Sequence, residues 1–307
     1  MSSTDTKIKK QQAAQAADTY IKPPSFGKLV FREIKHDPVA AVSFFLLAAI
    51  VIGVFIGALF IDAEALTKVN LRAINKPPSE KYFLGTDASG RDMVGQMILG
   101  ARNSFLIAFS VTILSGFLGI LVGLISGYFG GKVDNIVMRI LDFYSMLPRL
   151  MIIIVLVSII PKYNVVTFVI IMVVFSWVSD ARLTRAKTLQ QGSLDYVQAS
   201  KTLGTNNFVI MFREVLPNIA SLVIVNMTLT LAANMGLETG LTFLGFGLPF
   251  NTPSLGTLIS YARLPENMQG RPWQWLPASL LIVVMMLCIN FVGQAVKRAA
   301  DAKQRVA

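Results

Sequence analysis

The chain has 307 residues, 54% of them hydrophobic and only 15% charged, with a mean hydropathy of +0.60. A soluble domain carries roughly 25% charged residues, so the composition excludes an ordinary globular protein and points to one helical membrane domain. The net charge of +11 comes without a basic stripe interleaved with aromatics, which excludes nucleic acid as a partner.

The stretch Met1 to Tyr20 is polar and rich in Lys, Gln and Ala. It lacks a small-residue cleavage site, and the apolar run after it is too long for a signal-peptide core. Residues 1–38 therefore read as a cytoplasmic tail. Six runs then approach the roughly 20 apolar residues that a membrane crossing needs. They are Val39 to Ile61, Ser104 to Tyr128, Leu141 to Ile160, Val165 to Ser179 (extendable to Arg185), Ile219 to Leu237 and Pro277 to Val296. The expected fold is all-α, a polytopic membrane protein with about six transmembrane helices.

The second run carries Gly119, Gly123 and Gly127, a small-residue spacing that lets helix backbones approach closely. Lys and Arg gather in the N-terminal tail, after the fourth run (Arg182, Arg185, Lys187, Lys201, Arg213) and after the sixth (Lys297, Arg298, Lys303, Arg305). By the positive-inside rule both termini are cytoplasmic. Residues 297–307 form the second tail, and 104–296 the permeation core.

Two connections are too long to be simple linkers. Residues 62–103 form an outer loop with Pro77-Pro78 and Leu84-Gly85-Thr86-Asp87-Ala88-Ser89-Gly90-Arg91-Asp92. Thr242 to Leu276 carries Phe243, Phe246, Phe250, Trp273 and Trp275. Its Gly- and Pro-broken apolar stretch suits a re-entrant segment buried in protein, and the two tryptophans suit an aromatic belt.

The cytoplasmic stretch Leu189 to Pro217 is the most informative. Ser193 or Asp195 can cap a helix that ends at Gly204. Tyr196, Ala199 and Leu203 then share one face. Such a helix, placed at about 190–204, can press into a groove on another protein, and Pro217 restarts the chain for the fifth span.

Gln198-Ala199-Ser200, Gly204 four residues later and Leu216-Pro217 resemble the loop motif of binding-protein-dependent ATP-binding-cassette importers. The departures are Gln for Glu and Ser for the second Ala; both conserve size, but the Glu charge is lost. Leu84-Gly85-Thr86-Asp87, Gly90-Arg91-Asp92, Gly127-Tyr128-Phe129-Gly130-Gly131, Asp134, Met138-Arg139, Asp142, Leu244-Gly245-Phe246-Gly247 and Pro272-Trp273 resemble signatures of the dipeptide/oligopeptide (peptide/nickel) branch. The pattern is similar to the second of its two permease subunits, often called the C subunit.

The resemblance implies a type I importer fold and a set of partners: a second homologous permease, two ATPase subunits holding ATP and Mg, and an extracellular or periplasmic binding protein. It also implies a coupling role for Asp195, Tyr196, Gln198, Ala199, Ser200, Leu203, Gly204, Leu216 and Pro217. Peptides are the implied cargo, and nickel or another small solute is the alternative within the family.

Three ionisable residues are candidates for the substrate pathway. Asp142 and Arg149 could pair within the membrane, although a place at the membrane edge, against loops or lipid headgroups, is the simpler reading. Glu238 could meet a peptide amino terminus, although a solvated loop carboxylate is the simpler reading. An enzyme finds no support: there is no Gly-x-x-x-x-Gly-Lys-Ser/Thr loop, and no catalytic set assembles around the single His36. The lone Cys288 packs as a small hydrophobe, and with one Cys and one His no zinc site forms within the chain. A secondary transporter would place ionisable groups at mid-membrane, where these spans hold almost none.

Overall fold

The first span is set up by a short amphipathic helix and a proline. Helix α1 (Phe26–His36) ends at Asp37, and helix α2 (Pro38–Leu59) begins at the next residue. Pro38 loses nothing at a first helical position, where the N–H has no partner in the helix. Asp37 Oδ1 accepts from the Val39 and Ala40 amides at 2.9 and 3.2 Å, which caps the helix. This computed structural model describes residues 26–306 except 63, 65, 67, 161, 162 and 250. The N-terminal tail through Ser25, Lys162 and Phe250 thus lie outside the described residues.

Helix α3 (Met93–Phe129) is 37 residues long. It starts well before Ser104, inside what the sequence suggested was outer loop, because Asp92 Oδ2 accepts from the Gly95 amide at 2.9 Å and caps an earlier turn. At 1.5 Å per residue it is about 56 Å long, so one end stands clear of a hydrocarbon core of about 30 Å.

The third apolar run is not one straight helix. Helices α4 (Gly131–Met146) and α5 (Arg149–Ile159) meet at 78°. The break falls at Leu147-Pro148, where proline disfavours helical backbone in the residue before it. Helices α6 (Val165–Ser176) and α7 (Val178–Gly192) are bent by 41°. Next come α8 (Asp195–Thr202), α9 (Asn207–Leu244), α10 (Leu255–Ile259), α11 (Pro265–Gly270) and α12 (Leu276–Val306). Among the described residues, four helices, α2, α3, α9 and α12, are long and apolar enough to cross a membrane, and each bent pair can supply one more span. The residues after Val296 continue α12 as helix to Val306.

Pro217 does not restart the chain. Helix α9 runs through it from Asn207, capped by Asn206 Oδ1 on the Phe208 amide at 2.9 Å. The turn before it, Ile210–Val215, is wound wider in the π form. That local widening accommodates a residue that can neither donate to the ladder nor fit closely over the preceding turn.

Helix α3 sits at the centre, with α7, α9, α6, α2 and α10 packed around it, while α12 lies against α9, α2 and α1. The glycine stripe brings α3 against α7. A Cβ at Gly119 would lie 2.5 Å from Asp180 Cβ, one at Gly123 2.5 Å from the Ala181 carbonyl, and one at Gly127 2.7 Å from the Arg185 carbonyl. The spacing serves helix packing within this chain.

The two long connections fold onto one another. Asp87 is fully buried. Its Oδ1 accepts from the Ser89 and Arg91 amides, both at 2.8 Å. Its Oδ2 accepts from Arg91 Nε at 2.7 Å and from the Tyr261 hydroxyl at 2.9 Å. Gln274 Nε2 donates to the Thr86 carbonyl at 3.0 Å and to Asn75 Oδ1 at 2.8 Å. Trp273 packs on Gly85 and donates to the Thr86 carbonyl. Segment α10 is enclosed by protein: the Leu255 amide donates to Ser104 Oγ at 3.1 Å, and Asn103 Nδ2 donates to the Pro253 carbonyl at 2.8 Å.

Burial, with Asp87 alongside, pushes the Tyr261 hydroxyl well above its usual range. The folded state thus favours neutral Tyr261. Its contribution is fully present below pH ~10 and is lost as the pH rises toward the shifted value. Asp87→Ala strands Arg91, Tyr261 and two amides. It is expected to cost the outer lobe about 3–5 kcal/mol, read as faster proteolytic cleavage between Leu71 and Arg91 with the spans intact.

Candidate coupling site and buried polar groups

Helix α8 projects from the junction of α7 and α9 and is held on one side only. Val197 is fully buried among Leu124, Tyr128, Ile210, Met211 and Val215. Ser200 Oγ donates to Glu214 Oε1 at 2.9 Å, and Tyr128 OH donates to Asn207 Oδ1 at 2.8 Å. Lys201 Nζ lies 4.7 Å from the Tyr128 ring centroid, a cation–π contact. These links tie α8 to the end of α3 and the wide turn of α9.

The start of α8 differs from the expected cap. Neither Ser193 nor Asp195 caps it: Leu194 precedes the helix with no side-chain bond, and Ser193 Oγ donates back to the Gln190 carbonyl at 2.9 Å. Asp195 is the first helical residue, where its charge complements the helix dipole. The helix therefore covers 195–202, shorter than 190–204, and residues up to Gly192 belong to α7. The end is a Schellman motif. Gly204 takes φ +76°, its amide donates to the Lys201 carbonyl at 3.0 Å, and the Thr205 amide donates to the Ser200 carbonyl at 3.1 Å.

The outward side is apolar. Leu203 is 84% exposed and Phe208 61%, with Tyr196, Gln198 and Ala199 exposed beside them. Leu216 is half-buried against the Val197 cluster, while Pro217 is exposed on α9. Apolar residues left bare in a line at a helix end mark an interaction surface.

The ionisable candidates do not come together. Asp142 pairs with Arg182 Nη2 at 2.8 Å, both about half exposed. Arg149, carried away by the bend at Pro148, donates from Nη2 to Ser176 Oγ at 2.5 Å and faces Asp180. No Asp142–Arg149 pair exists, because the 78° bend breaks the straight helical register that would have aligned them. Glu238 is not a solvated loop carboxylate. It lies within α9, fully buried, and accepts from Thr239 and Thr242 hydroxyls at 3.2 and 3.1 Å, with Ser104 and Ser254 alongside.

Sequence reasoning missed two buried partnerships. Asp134 accepts from Ser126 Oγ at 2.6 Å and from the Arg185 guanidinium, joining α4 to α3 and α7. Asp180 accepts from Asn226 Nδ2, joining α7 to α9. Arg185 had counted only as a basic residue of a cytoplasmic segment, and no spacing rule connects it to a carboxylate 51 residues earlier.

The profile of the family described as the inner membrane component of binding-protein-dependent transport systems matches residues 119–306. The oligopeptide transport system permease protein OppC of Lactococcus lactis subsp. cremoris (strain SK11) is 47% identical over 273 residues, covering 89% of this chain and 93% of that protein. The chain belongs to this permease family. The dipeptide transport system permease protein DppC of Bacillus subtilis (strain 168) is also similar to this permease, at 31% identity over 96% of this chain and 92% of that protein. A chain from inward-facing structures of the MetNI methionine ABC transporter superposes with TM-score 0.55 at 18% identity, covering 68% of this permease and 97% of that chain. The latter establishes the fold alone, a type I importer permease. The permease is a multi-pass membrane protein that works with ATPase and substrate-binding subunits.

Proposed function

We propose that this permease is the membrane-spanning subunit of an ATP-driven importer of oligopeptides or dipeptides. The relatives named for oligopeptide and dipeptide transport support that cargo. The single structural observation that carries the coupling reading is α8, locked to α3 and α9 on one side and bare at Ala199 and Leu203 on the other. A second, homologous permease completes the pathway, and two ATPase subunits bind ATP and Mg below it. A binding protein delivers peptide from outside, and both termini face the cytoplasm. The ATPase pair can switch the pathway only if it holds α8 differently in its two nucleotide states.

Ala199 is exposed, so Ala199→Arg leaves this chain's own stability within about 0.5 kcal/mol. It is expected to remove the ATPase subunits from material purified out of detergent-solubilised membranes through a tag on this chain. Unsubstituted protein should retain them, together with a second permease, and should take up labelled peptide into proteoliposomes with ATP. Uptake driven by an ion gradient alone, without the ATPases, would sink the reading.

A further inference from the structure

Helix α1 has three distinct sides. Phe26, Leu29, Val30 and Glu33 turn toward the protein: Leu29 is buried, and Phe26 and Val30 pack with Val225, Val292, Val296 and Ala300. At 100° per residue, Ile34 and Phe31 occupy the next side, and Phe31 is 71% exposed. Lys28, Arg32 and Lys35, at i, i+4 and i+7, share the third side, all exposed.

Among the described residues, the carboxylates on α1 and at its end, Glu33 and Asp37, are engaged elsewhere. Glu33 and Asp37 both face Arg298 of α12: Glu33 Oε2 lies 3.9 Å from Arg298 Nε, and Asp37 Oδ2 accepts from Arg298 Nη2. Lys28, Arg32 and Lys35 have no ion-pair partner among the described residues.

The position of α1 decides what lies against it. It packs on α12 where the apolar run gives way to Lys297 and Arg298, and it leads straight into the span that opens at Pro38. Its contact on α9, Val225, is nine residues beyond Leu216, about 14 Å along the helix axis. It therefore lies clear of the α8 docking surface, beside the point where the α2 span begins. Phe31 on α1 and Val39 and Val42 at the start of α2 are all exposed. An apolar side beside a cationic side, where a span begins, is the arrangement of a helix lying in the membrane interface.

We propose that Lys28, Arg32 and Lys35 form a docking stripe for the headgroup phosphates of anionic phospholipids, with Phe31 and Ile34 in the acyl boundary. The stripe fixes the base of α2 and the end of α12, which Arg298 clamps together, against the leaflet.

The test uses the full transporter assembly carrying Phe31→Trp, reconstituted in bilayers that contain acyl-brominated phosphatidylglycerol or acyl-brominated phosphatidylcholine. The added fluorescence over the unsubstituted assembly should be quenched by both lipids, and more strongly by phosphatidylglycerol. Replacing Lys28, Arg32 and Lys35 with Gln should cut the phosphatidylglycerol preference by up to about fivefold per residue, leaving quenching in pure phosphatidylcholine unchanged. Equal quenching by the two lipids before substitution would overturn the headgroup assignment. Absence of quenching by either, or loss of the ATPase subunits from the triple variant, would show that protein covers this face and would overturn it too.

Discussion

Gly123→Leu is expected to abolish folded permease. The backbone of α3 meets the backbone of α7 at this residue, so even a Cβ would sit 2.5 Å from the Ala181 carbonyl and 2.7 Å from Thr184 Cβ. A carbonyl in a helix has no rotamer to change, and the two helices must separate. Overpacking of a well-filled site costs about 1–3 kcal/mol when neighbours can shift. Gly123→Ala should lie near ~3 kcal/mol, and leucine should go beyond the ~4 kcal/mol that marks exceptional single substitutions. Separation would also disturb Asp134–Arg185 and Asp180–Asn226, because both depend on the position of α7. Gly192, with nothing within 4 Å of a built Cβ, is the control. Gly192→Ala should be neutral in the same denaturation assay in detergent, and equal stability of the Gly123→Leu and Gly192→Ala proteins would refute the packing role.

Gly204→Arg is expected to end ATP-driven uptake through a different route. Among the described residues nothing lies within 4 Å of a Cβ at Gly204, so none of them clashes with it. An ordinary residue held at φ +76° costs roughly 1–2 kcal/mol, which strains the Schellman turn without unfolding the spans. The arginine side chain would then stand beside Leu203 on the bare docking surface. Affinity for the ATPase should fall by about thirtyfold or more, the size of an interface hot spot. Asn tolerates the left-handed conformation, so Gly204→Asn should keep most of the uptake. Normal uptake by the arginine variant would remove α8 from the coupling path.

The spans and α8 were legible in the sequence because both rest on local patterns. Apolar length marks a crossing, and a glycine at the right distance from Ala199 marks a helix end. The bend at Pro148 was legible only as a proline within an apolar run; hydropathy carries no direction, so its angle was not. Pro217 looked like a helix start because proline favours that position, and the alternative, a widened turn just before it, has no sequence signature. Glu238 looked solvated because two of its hydroxyl neighbours, Ser104 and Ser254, come from distant parts of the chain. Asp142 was matched with Arg149 on spacing along one helix, whereas its partner Arg182 lies 40 residues away on another. The misses at Asp142 and Glu238 are tertiary, decided by neighbours elsewhere in the chain, whereas those at Pro148 and Pro217 are local, decided by how a helix takes up a proline.

Helix α9 gives the molecule a mechanical property. It is 38 residues long, about 57 Å at 1.5 Å per residue, and it joins the α8 latch at Glu214 and Asn207 to the enclosed hydroxyl cluster at Glu238 and Thr242. A rod of that length pivoting at its base by about 5° sweeps its far end through about 5 Å. Because Thr242 lies against Gly256 of α10, a tilt imposed at the α8 end of this rod would press on α10 at its other end.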